Sequence, residues 1–520
     1  MAEAALHPAE PRAVVAPDAP HWGLLGAFAG AKLVLHLAFV EGYGVFRDEL
    51  YYLASTDHLA WGYVDHPPLS IVLLAAVESV FGDGLLAVRT VPAVAGALTV
   101  GLVGWLAARL GGGAFAQALA MLGALIAPVY LFLHHVYSMN ALDLLLWTAA
   151  VGLVVLILQG GDRRLWLALG VVLGLGLLNK WSALWLGGGL FLGLVLTPER
   201  RRLATPWPWA AAGTALLLFL PNLLWQHAHG WPTLEFMANA TGEKMAAVAP
   251  LDFLGGQVLG MHPLNVLLWA PGLVLVLALP LGRPVRPLGV AVAAVFALLA
   301  FSGSSRVAYA APLYPVLFAA GALLWERGLR GRLRRARPAL LVLLAAGFAL
   351  APFTLPVLPV ETFVRYQAAL GMEPGTEERK AIGALPQHYA DMFGWTGLVD
   401  EVERAYRALP LEEQAAAVVF AQNYGEAGAI DVLGRARGLP PAISGHNSYG
   451  TWGPRGASGE VVLIVGGDEA DNRAACEELE VVGRADCRYC MPYEDDLPIS
   501  VCRGVRGSLE DVWPALRHYD

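Results

Sequence analysis

Long apolar segments recur through the first 360 residues and constrain what this chain can fold into more than any other feature. A helix needs about 20 mostly apolar residues to cross the hydrocarbon core of a bilayer. About eleven segments come close to this length: 22–41, 89–109, 112–133, 143–160, 165–179, 182–197, 207–224, 263–281, 287–302, 312–326 and 338–356. The pattern predicts an α-helical polytopic membrane protein, and it excludes a disordered, collagen-like or ordinary soluble chain.

The charged residues divide the chain into two parts. Residues 361–520 contain 26 acidic and 14 basic side chains, a density typical of soluble domains. The longer segment 1–360 contains only 17 acidic and 21 basic side chains. The net charge of −8 therefore combines a weakly positive membrane part with an acidic C-terminal part. Buried-strand patterns within 417–433 and 460–467 predict an α/β fold for the second part. We therefore expect a transmembrane domain over 1–360 and an α/β domain over 361–520.

The arginines predict the orientation, because Lys and Arg accumulate in cytoplasmic loops. They cluster between apolar segments at 109, 163–164, 200–202, 283–286 and 327–337. If all five places are cytoplasmic, the N-terminus is cytoplasmic as well. The C-terminal domain is then extracytoplasmic.

Two loops on the same side of the membrane are separated by an even number of spans, so residues 42–88 form one long extracytoplasmic loop. The apolar piece 69–82 must then lie at the interface or re-enter the membrane, since a further span would make that number odd. The N-terminal segment has Arg12 as its only firm positive charge, and no small-residue cleavage site follows the first apolar segment. We expect that segment to be a retained first helix of a multi-pass protein of the cell (inner) membrane.

This orientation collects the unusual polar residues on the outer face. Asp48 and Glu49 directly follow the first helix, and a carboxylate beside an apolar wall can act as a base. The alternative is a solvated pair at the membrane boundary. Lys180 lies between two short apolar halves, where a buried cation needs an anion such as phosphate. Asn140 and Asp143 are three residues apart and share a face of a helix.

Metal ligands are harder to find in the sequence. The adjacent His134 and His135 do not share a helix face, which argues against a metal site there. All four cysteines fall in the C-terminal domain, and their single C-x-x-C lacks a partner pair at zinc-ribbon spacing. We therefore expect disulfides rather than zinc among Cys476, Cys487, Cys490 and Cys502, with the pairing open. A divalent cation held by loop carboxylates is the one cofactor that the sequence leaves open.

A Gly-rich stretch at 443–454 carries His446 and Asn447 together with aromatic residues. Polar and aromatic groups in a loop after a strand are typical of sugar contacts. A purely structural loop fits the same residues equally well.

The stretch FRDELYYLASTDHLAWGYVDHPPL (46–69) resembles the first extracytoplasmic loop of GT-C glycosyltransferases, in the branch of protein O-mannosyltransferases and aminoarabinose transferases. A DE pair alone is weak, but the pair with GYxDHPPL at this spacing is specific. The resemblance continues, in the expected order, through HHVYSMNALDLLLW (134–147), LNKWSA (178–183), PNLLWQHAHGWPTLEF (221–236) and SRVAYAAPLYP (305–315). It covers most of the membrane part.

The resemblance assigns expected roles to individual residues. It implies that Asp48 is the catalytic carboxylate with Glu49 beside it, and that Lys180 and Arg306 contact the phosphate of the donor. Many relatives have an aspartate at the position of Asn140, and Asp143 resembles the compensation found in one subgroup. The expected substrate-binding residues are Tyr52, Tyr63, Asp65, His66, Asn140, Asp143, His446 and Asn447.

These parts imply a membrane glycosyltransferase. A polyprenyl-phosphate sugar already carries a competent leaving group, so Asp48 acting as a base on an acceptor hydroxyl suffices. A single base without a covalent partner favours inversion at the anomeric carbon. The expected partners are the lipid-linked donor, an extracytoplasmic acceptor (protein, lipid or polysaccharide) and the bilayer, without nucleic acid.

Two other functions compete with this interpretation. A lipid or sugar transporter is disfavoured because the chain has no internal repeat and its charged residues lie at the outer boundary. A non-catalytic scaffold that binds a lipid-linked sugar is favoured only by Asn140, whereas Asp48, Lys180 and Arg306 argue against it.

Overall fold

The computed structural model describes residues 17–520. Residues 1–16, which include Arg12, lie outside the described range, whereas the expected first helix, 22–41, lies within it as α1. The helices of the first part are α1 Trp22–Ala38, α2 Arg47–Thr56, α3 Leu69–Phe81, α4 Leu85–Arg109, α5 Ala114–Ile126, α6 Pro128–Leu133, α7 Met139–Leu158, α8 Leu165–Asn179, α9 Ala183–Val195, α10 Pro206–Ala228, α11 Pro232–Asn239, α12 Pro250–Gly260, α13 Val266–Leu277, α14 Arg286–Ala300, α15 Tyr314–Gly328 and α16 Arg337–Ala345.

The multi-pass membrane architecture is confirmed, although length alone supports fewer spans than the sequence predicts. Among the described residues, six helical stretches are long and apolar enough to cross a bilayer, and a seventh results if the bent pair α12–α13 is one span. Four of the shorter apolar helices coincide with other predicted spans, and the fifth, α3, is the piece predicted to lie at the interface. Breaks shorten some of these helices: Pro128 starts α6 inside the predicted span 112–133, and Lys180 is extended at the expected boundary between α8 and α9.

The C-terminal part is a mixed sheet covered by helices, which confirms the predicted α/β fold. The strands β1 Ala417–Ala421, β2 Ala442–Ile443, β3 Val461–Val465, β4 Cys476–Ala485 and β5 Leu497–Val505 lie in the order β2-β1-β3-β5-β4. The β1 strand pairs in parallel with β2 and β3, whereas β5 is antiparallel to β3 and β4. The helices of this part are α17 Val360–Ala369, α18 Gln387–Ala390, α19 Trp395–Ala408, α20 Leu411–Ala416, α21 Tyr424–Leu433, α22 Asn447–Trp452, α23 Glu469–Ala475 and α24 Leu509–Leu516.

Helices occur in the predicted Gly-rich loop 443–454 and in the region 42–88, where the sequence favours an interfacial or re-entrant helix only at 69–82. In 443–454, the backbone N–H of His446 donates to the hydroxyl of Ser444, and this turn starts α22. The region 42–88 folds into α2 and α3, both of which bury apolar side chains. Periodicity over such short stretches does not separate a loop from a helix of two or three turns.

Helix α2 is the element that joins the two parts. Its Leu50 and Tyr51 share one hydrophobic core with Trp395 and Val419 of the C-terminal sheet domain. Helix α21 crosses α2 closely, since a Cβ atom at Gly428 would lie 2.9 Å from the carbonyl carbon of Leu50. The glycine therefore permits an approach that a larger residue would prevent.

This contact predicts a destabilising effect of Gly428→Ala. The added methyl group meets the carbonyl group and the Cβ atom of Leu50, which cannot move aside without shifting α2, so we expect the free energy of unfolding to fall by about 1–3 kcal/mol. The matched control is Gly397→Ala in helix α19, where a Cβ atom meets nothing within 4 Å. Thermal unfolding of the purified variants measures both effects, and equal stability of the two would contradict the close crossing.

Candidate active site

The first turn of α2 directs two adjacent carboxylates to different surroundings. Successive residues of a helix point about 100° apart, so Glu49 faces the protein interior while Asp48, in a cleft between α2 and the C-terminal domain where Tyr424 reaches it, stays partly exposed. Both carboxylates lie near the positive end of the helix dipole, which stabilises their charge. One turn of helix thus holds a buried acid and a more exposed acid side by side.

Glu49 is completely buried and saturated with hydrogen bonds. Its two oxygens accept from Nε and Nη2 of Arg89 in α4, at 2.9 and 2.7 Å. They also accept from the backbone N–H groups of Phe46 and Tyr137, at 2.9 and 2.8 Å. Arg89 in turn donates to two backbone carbonyls, those of Val40 and Gly44. Glu49 therefore ties α2 to the membrane helices and has no oxygen left for a reaction.

Asp48 is accessible, with 36% of its side chain exposed. The hydroxyl of Tyr424, in α21, donates to its Oδ1 at 3.0 Å. Nε of Arg47 lies 3.8 Å from the same oxygen. Among the described residues, none hydrogen-bonds to Oδ2, so that oxygen is free to accept a proton.

Arg47 connects this carboxylate to the C-terminal domain. Its Nη1 donates to the hydroxyl of Tyr493 at 2.5 Å and lies 3.5 Å from Oδ1 of Asp391. Asp391 is buried, and burial raises its pKa to about 6 despite the nearby arginine. The Arg47 guanidinium also lies over the ring of Tyr424, 5.3 Å from the centroid.

Cationic groups gather around the same cleft. Nζ of Lys180 donates to Oδ1 of Asn140 at 2.6 Å and lies 4.9 Å from the centre of the Tyr309 ring. Arg306 interacts electrostatically with Asp48 and with Lys180. Its Nη2 donates to Oε1 of Glu378 at 2.7 Å.

Lys244 completes this group of cations. Its Nζ lies 5.9 Å from the centre of the Tyr424 ring and donates to the carbonyl oxygen of Asp520. Burial opposes the charge of Glu378, but Lys244, Arg47 and Arg306 outweigh it and hold the pKa of that carboxyl below its ordinary value. The carboxylate of Glu378 therefore lies among three cations.

The other predicted site residues lie at different depths. Asn140 and Asp143 do share a face of α7; Asp143 accepts a hydrogen bond from Ser182 at 2.7 Å, beside Lys180. The pair therefore faces the break between α8 and α9.

Residues from the first outer loop form a largely buried aromatic wall behind α2. Tyr52 and Tyr63 are buried, and their rings pack on the buried imidazole of His66 at 4.7 and 4.8 Å. Asp65 retains partial exposure and accepts a hydrogen bond from Tyr51 at 2.8 Å. Of this group, Asp65 is therefore the member whose side chain keeps contact with solvent.

His446 and Asn447 are buried as well. The imidazole of His446 lies between the rings of Tyr424 and His518, at 4.8 and 4.7 Å. Asn447 exchanges two hydrogen bonds with the backbone of Asp520. His446 therefore packs on Tyr424, whereas Asn447 holds the backbone of Asp520.

The positions of the cysteines and histidines show which of them could bind a metal ion. Cys476 and Cys502 form a disulfide, as expected for part of the set, whereas Cys487 and Cys490 are free thiols. Within the described residues, the group whose ligand atoms lie close enough for a metal is His446, His518 and Asp520. It does not include the C-x-x-C pair.

Sequence reasoning missed several residues of the cleft: Tyr424, Glu378, Asp391, Tyr493 and Lys244. All of them lie in the C-terminal domain or in an outer loop of ordinary composition. No local pattern marks them, because only the docking of that domain on α2 brings them to Asp48.

The two carboxylates predict opposite behaviour in a stability measurement. Glu49→Gln leaves a buried Arg89 without its counter-charge, so we expect a loss of about 3–5 kcal/mol in the free energy of unfolding. Asp48→Asn keeps the hydrogen bond to Tyr424 at a partly exposed position and should cost less than about 1 kcal/mol. Denaturant unfolding in lipid nanodiscs separates the two. Equal losses would contradict the distinction between a buried and an exposed acid.

Comparisons with known proteins agree with this architecture. Residues 65–225 match the family model described as dolichyl-phosphate-mannose-protein mannosyltransferase. No curated protein matches the sequence significantly.

Among solved structures, ArnT from Cupriavidus metallidurans bound to undecaprenyl phosphate is similar with a TM-score of 0.59 at 16% identity, covering 92% of this chain and 98% of that one. The apo structure of the same protein has a TM-score of 0.58 at 15% identity, and the match covers 93% of this chain and 98% of that one. The apo oligosaccharyltransferase of Archaeoglobus fulgidus gives 0.51 at 13% identity, covering 87% of this chain and 66% of that one. The family match is confined to residues 65–225, and over nearly the whole chain the fold is that of a multi-pass membrane protein similar to ArnT.

Proposed function

We propose that this protein transfers a sugar from a polyprenyl phosphate to a hydroxyl group of an extracytoplasmic acceptor, with inversion at the anomeric carbon. The observation that carries the proposal is the placement of Asp48. One of its oxygens is free, and its carboxylate interacts with Arg47 and Arg306, which together with Lys244 also surround Glu378. The family match and a related fold that binds undecaprenyl phosphate support the choice of donor.

The reaction needs one proton transfer and one displacement. Oδ2 of Asp48 takes the proton of the acceptor hydroxyl while the hydroxyl oxygen forms a bond to the anomeric carbon. The bond between that carbon and the phosphate oxygen breaks, and polyprenyl phosphate departs with the electron pair. The protein supplies no acid for this step, because the phosphate is a stable leaving group.

Fixed cations stabilise the departing phosphate. Lys180 and Arg306 are held by neighbouring side chains, so they need little rearrangement as charge grows on the leaving oxygen. Preorganised charges of this kind contribute several kcal/mol to the stability of a transition state. Glu378 now pairs with Arg306, and a donor phosphate replaces that carboxylate on the guanidinium.

Glu49 acts as a positioning residue. Its hydrogen bonds to Arg89 and to two backbone N–H groups fix the first turn of α2 and hence the direction of Asp48. Of the two adjacent carboxylates, Asp48 alone therefore has the catalytic role. A second carboxylate that is saturated with donors does not serve as a nucleophile, which agrees with inversion.

The test of the base is turnover of Asp48→Asn in lipid nanodiscs. We expect release of free polyprenyl phosphate to fall by about 10²–10⁴-fold while the donor still binds, because only the proton acceptor is lost. Release is followed by mass spectrometry over a small panel of polyprenyl-phosphate sugars with cell-envelope extract as the acceptor source.

The matched control for this test is Asp57→Asn at the far end of the same helix, where the carboxylate is exposed. Its turnover should equal that of the unsubstituted protein. Donor binding without turnover in the unsubstituted protein would overturn the transferase proposal and favour a binding scaffold.

Two substitutions at the proposed phosphate site should change the affinity for polyprenyl phosphate in opposite directions. Arg306→Ala should slow turnover by about 100-fold and weaken binding of polyprenyl phosphate. Glu378→Gln should tighten that binding, because the carboxylate that competes for Arg306 is gone. Dissociation constants measured on the two variants check this, and weaker binding in both would contradict the competition.

A further inference from the structure

A second pair of cysteines lies in the connection between β4 and β5. The disulfide between Cys476 and Cys502 joins the two strands at their far ends. Cys487 and Cys490, separated by two residues, remain thiols in the connection itself. The cleft residues derived above do not include these two thiols.

The two thiols differ in accessibility and in hydrogen bonding. Cys487 is partly exposed, whereas Cys490 is buried. The backbone N–H of Cys490 donates to Sγ of Cys487 at 3.2 Å, and its own S–H donates to the carbonyl oxygen of Cys487 at 3.1 Å. The interaction with the Cys490 thiol lowers the pKa of Cys487 to about 7 and raises that of Cys490. An accessible thiolate next to a protected thiol is the arrangement that disulfide exchange requires.

A buried pair of carboxyls lies beside the thiols. Glu494 lines the same small cleft as Cys487, together with Trp395 and Phe393. Burial raises the pKa of Glu494 to about 7, and burial next to Glu494 raises that of Glu426 further. A carboxyl that titrates near neutral pH can take the proton of a buried thiol.

The connection also contacts the site around Asp48. Tyr493, three residues after Cys490, accepts the 2.5 Å hydrogen bond from Arg47, whose Nε faces Asp48. On its other side, Cys487 packs on Gly394, where a Cβ atom would lie 3.1 Å from Sγ. A change in the geometry of residues 487–490 is therefore transmitted to both neighbours of Arg47, since Gly394 closely follows Asp391 in the chain.

We propose that Cys487 and Cys490 form a thiol–disulfide exchange site whose oxidation state sets the position of Arg47 beside Asp48. The co-reactant is a molecule that carries a disulfide bond. The exchange stands independently of the proposed function, whereas its effect on sugar transfer rests on that function.

The exchange proceeds in two displacements. The thiolate of Cys487 attacks one sulfur of the co-reactant, forms a mixed disulfide and releases the first thiolate. The thiol of Cys490 gives its proton to Glu494, attacks Sγ of Cys487 and releases the second thiolate. Two cysteines are oxidised and one disulfide is reduced; Glu494 passes the proton of Cys490 to one released thiolate, and the other takes from solvent the proton that Cys487 had given up.

The exchange is tested on the full-length protein in nanodiscs, equilibrated with mixtures of reduced and oxidised glutathione. Free thiols are then alkylated and the cysteine peptides are measured by mass spectrometry. We expect Cys487 and Cys490 to convert together between dithiol and disulfide, while the disulfide of Cys476 and Cys502 in the same sample stays intact. In Cys490→Ser, a mixed disulfide with glutathione should accumulate on Cys487.

Three results would overturn the exchange site. The first is a pair that remains reduced in every mixture, and the second is a pair that remains oxidised in every mixture. The third is a Cys487→Ser variant in which Cys490 forms the mixed disulfide as readily as Cys487 does in Cys490→Ser. The Ser variants remove one sulfur atom each, and thermal unfolding shows whether they are folded.

The coupling to Asp48 is tested on the same oxidised and reduced samples. We expect hydrogen exchange of residues 47–56 to differ between the two states, and release of polyprenyl phosphate to change by about tenfold. Tyr493→Phe removes the hydroxyl that accepts from Arg47. It should abolish the difference in hydrogen exchange and the difference in polyprenyl phosphate release, while thiol–disulfide exchange at Cys487 and Cys490 continues. Identical hydrogen exchange in the two states would overturn the coupling. An absence of turnover in both states, with the hydrogen-exchange difference present, would refute the proposed function and leave the coupling standing.

Discussion

The buried pair of Glu49 and Arg89 is the interaction on which the site depends. Moving two charges out of water costs several kcal/mol per ion, so such a pair is retained only where good geometry offsets the loss. Here each carboxylate oxygen receives two hydrogen bonds, and the guanidinium reaches two backbone carbonyls. The pair fixes α2, a short helix in an outer segment, to the spanning helix α4. It thereby orients the neighbouring carboxylate of Asp48 without using the flexible loop on either side.

The charge difference between the two parts of the chain explains how they meet. The acidic C-terminal domain supplies Asp391 to Arg47 and Glu378 to Arg306. Both arginines belong to the membrane part, whose outer face is rich in cations around the cleft. Complementary charge of this kind favours a defined orientation between two surfaces. The apolar core shared by α2 and the sheet adds the area that holds the domain in place.

The sequence predicts the membrane part better than the outer cleft. Apolar length and arginine clusters indicate the segments that become helices, and the spacing of Asn140 and Asp143 correctly places them on one face. Helices occupy the eleven predicted spans, although several are too short to cross a bilayer by length alone, and Pro128 divides one of the spans into α5 and α6. Tyr424 could not be predicted as a neighbour of Asp48, because nothing in local periodicity reports contacts between residues that are 376 positions apart. The orientation across the membrane remains a prediction.

That separation of 376 positions has a consequence for biosynthesis. Asp48 enters the membrane environment early in translation, whereas Tyr424, Tyr493 and Glu378 follow only after the helices of the membrane part have been made. A nascent chain that has inserted its helices therefore carries the carboxylate but not the residues that surround it. The surroundings of Asp48 are therefore completed only when the C-terminal domain, which follows the membrane helices in the chain, has folded onto α2.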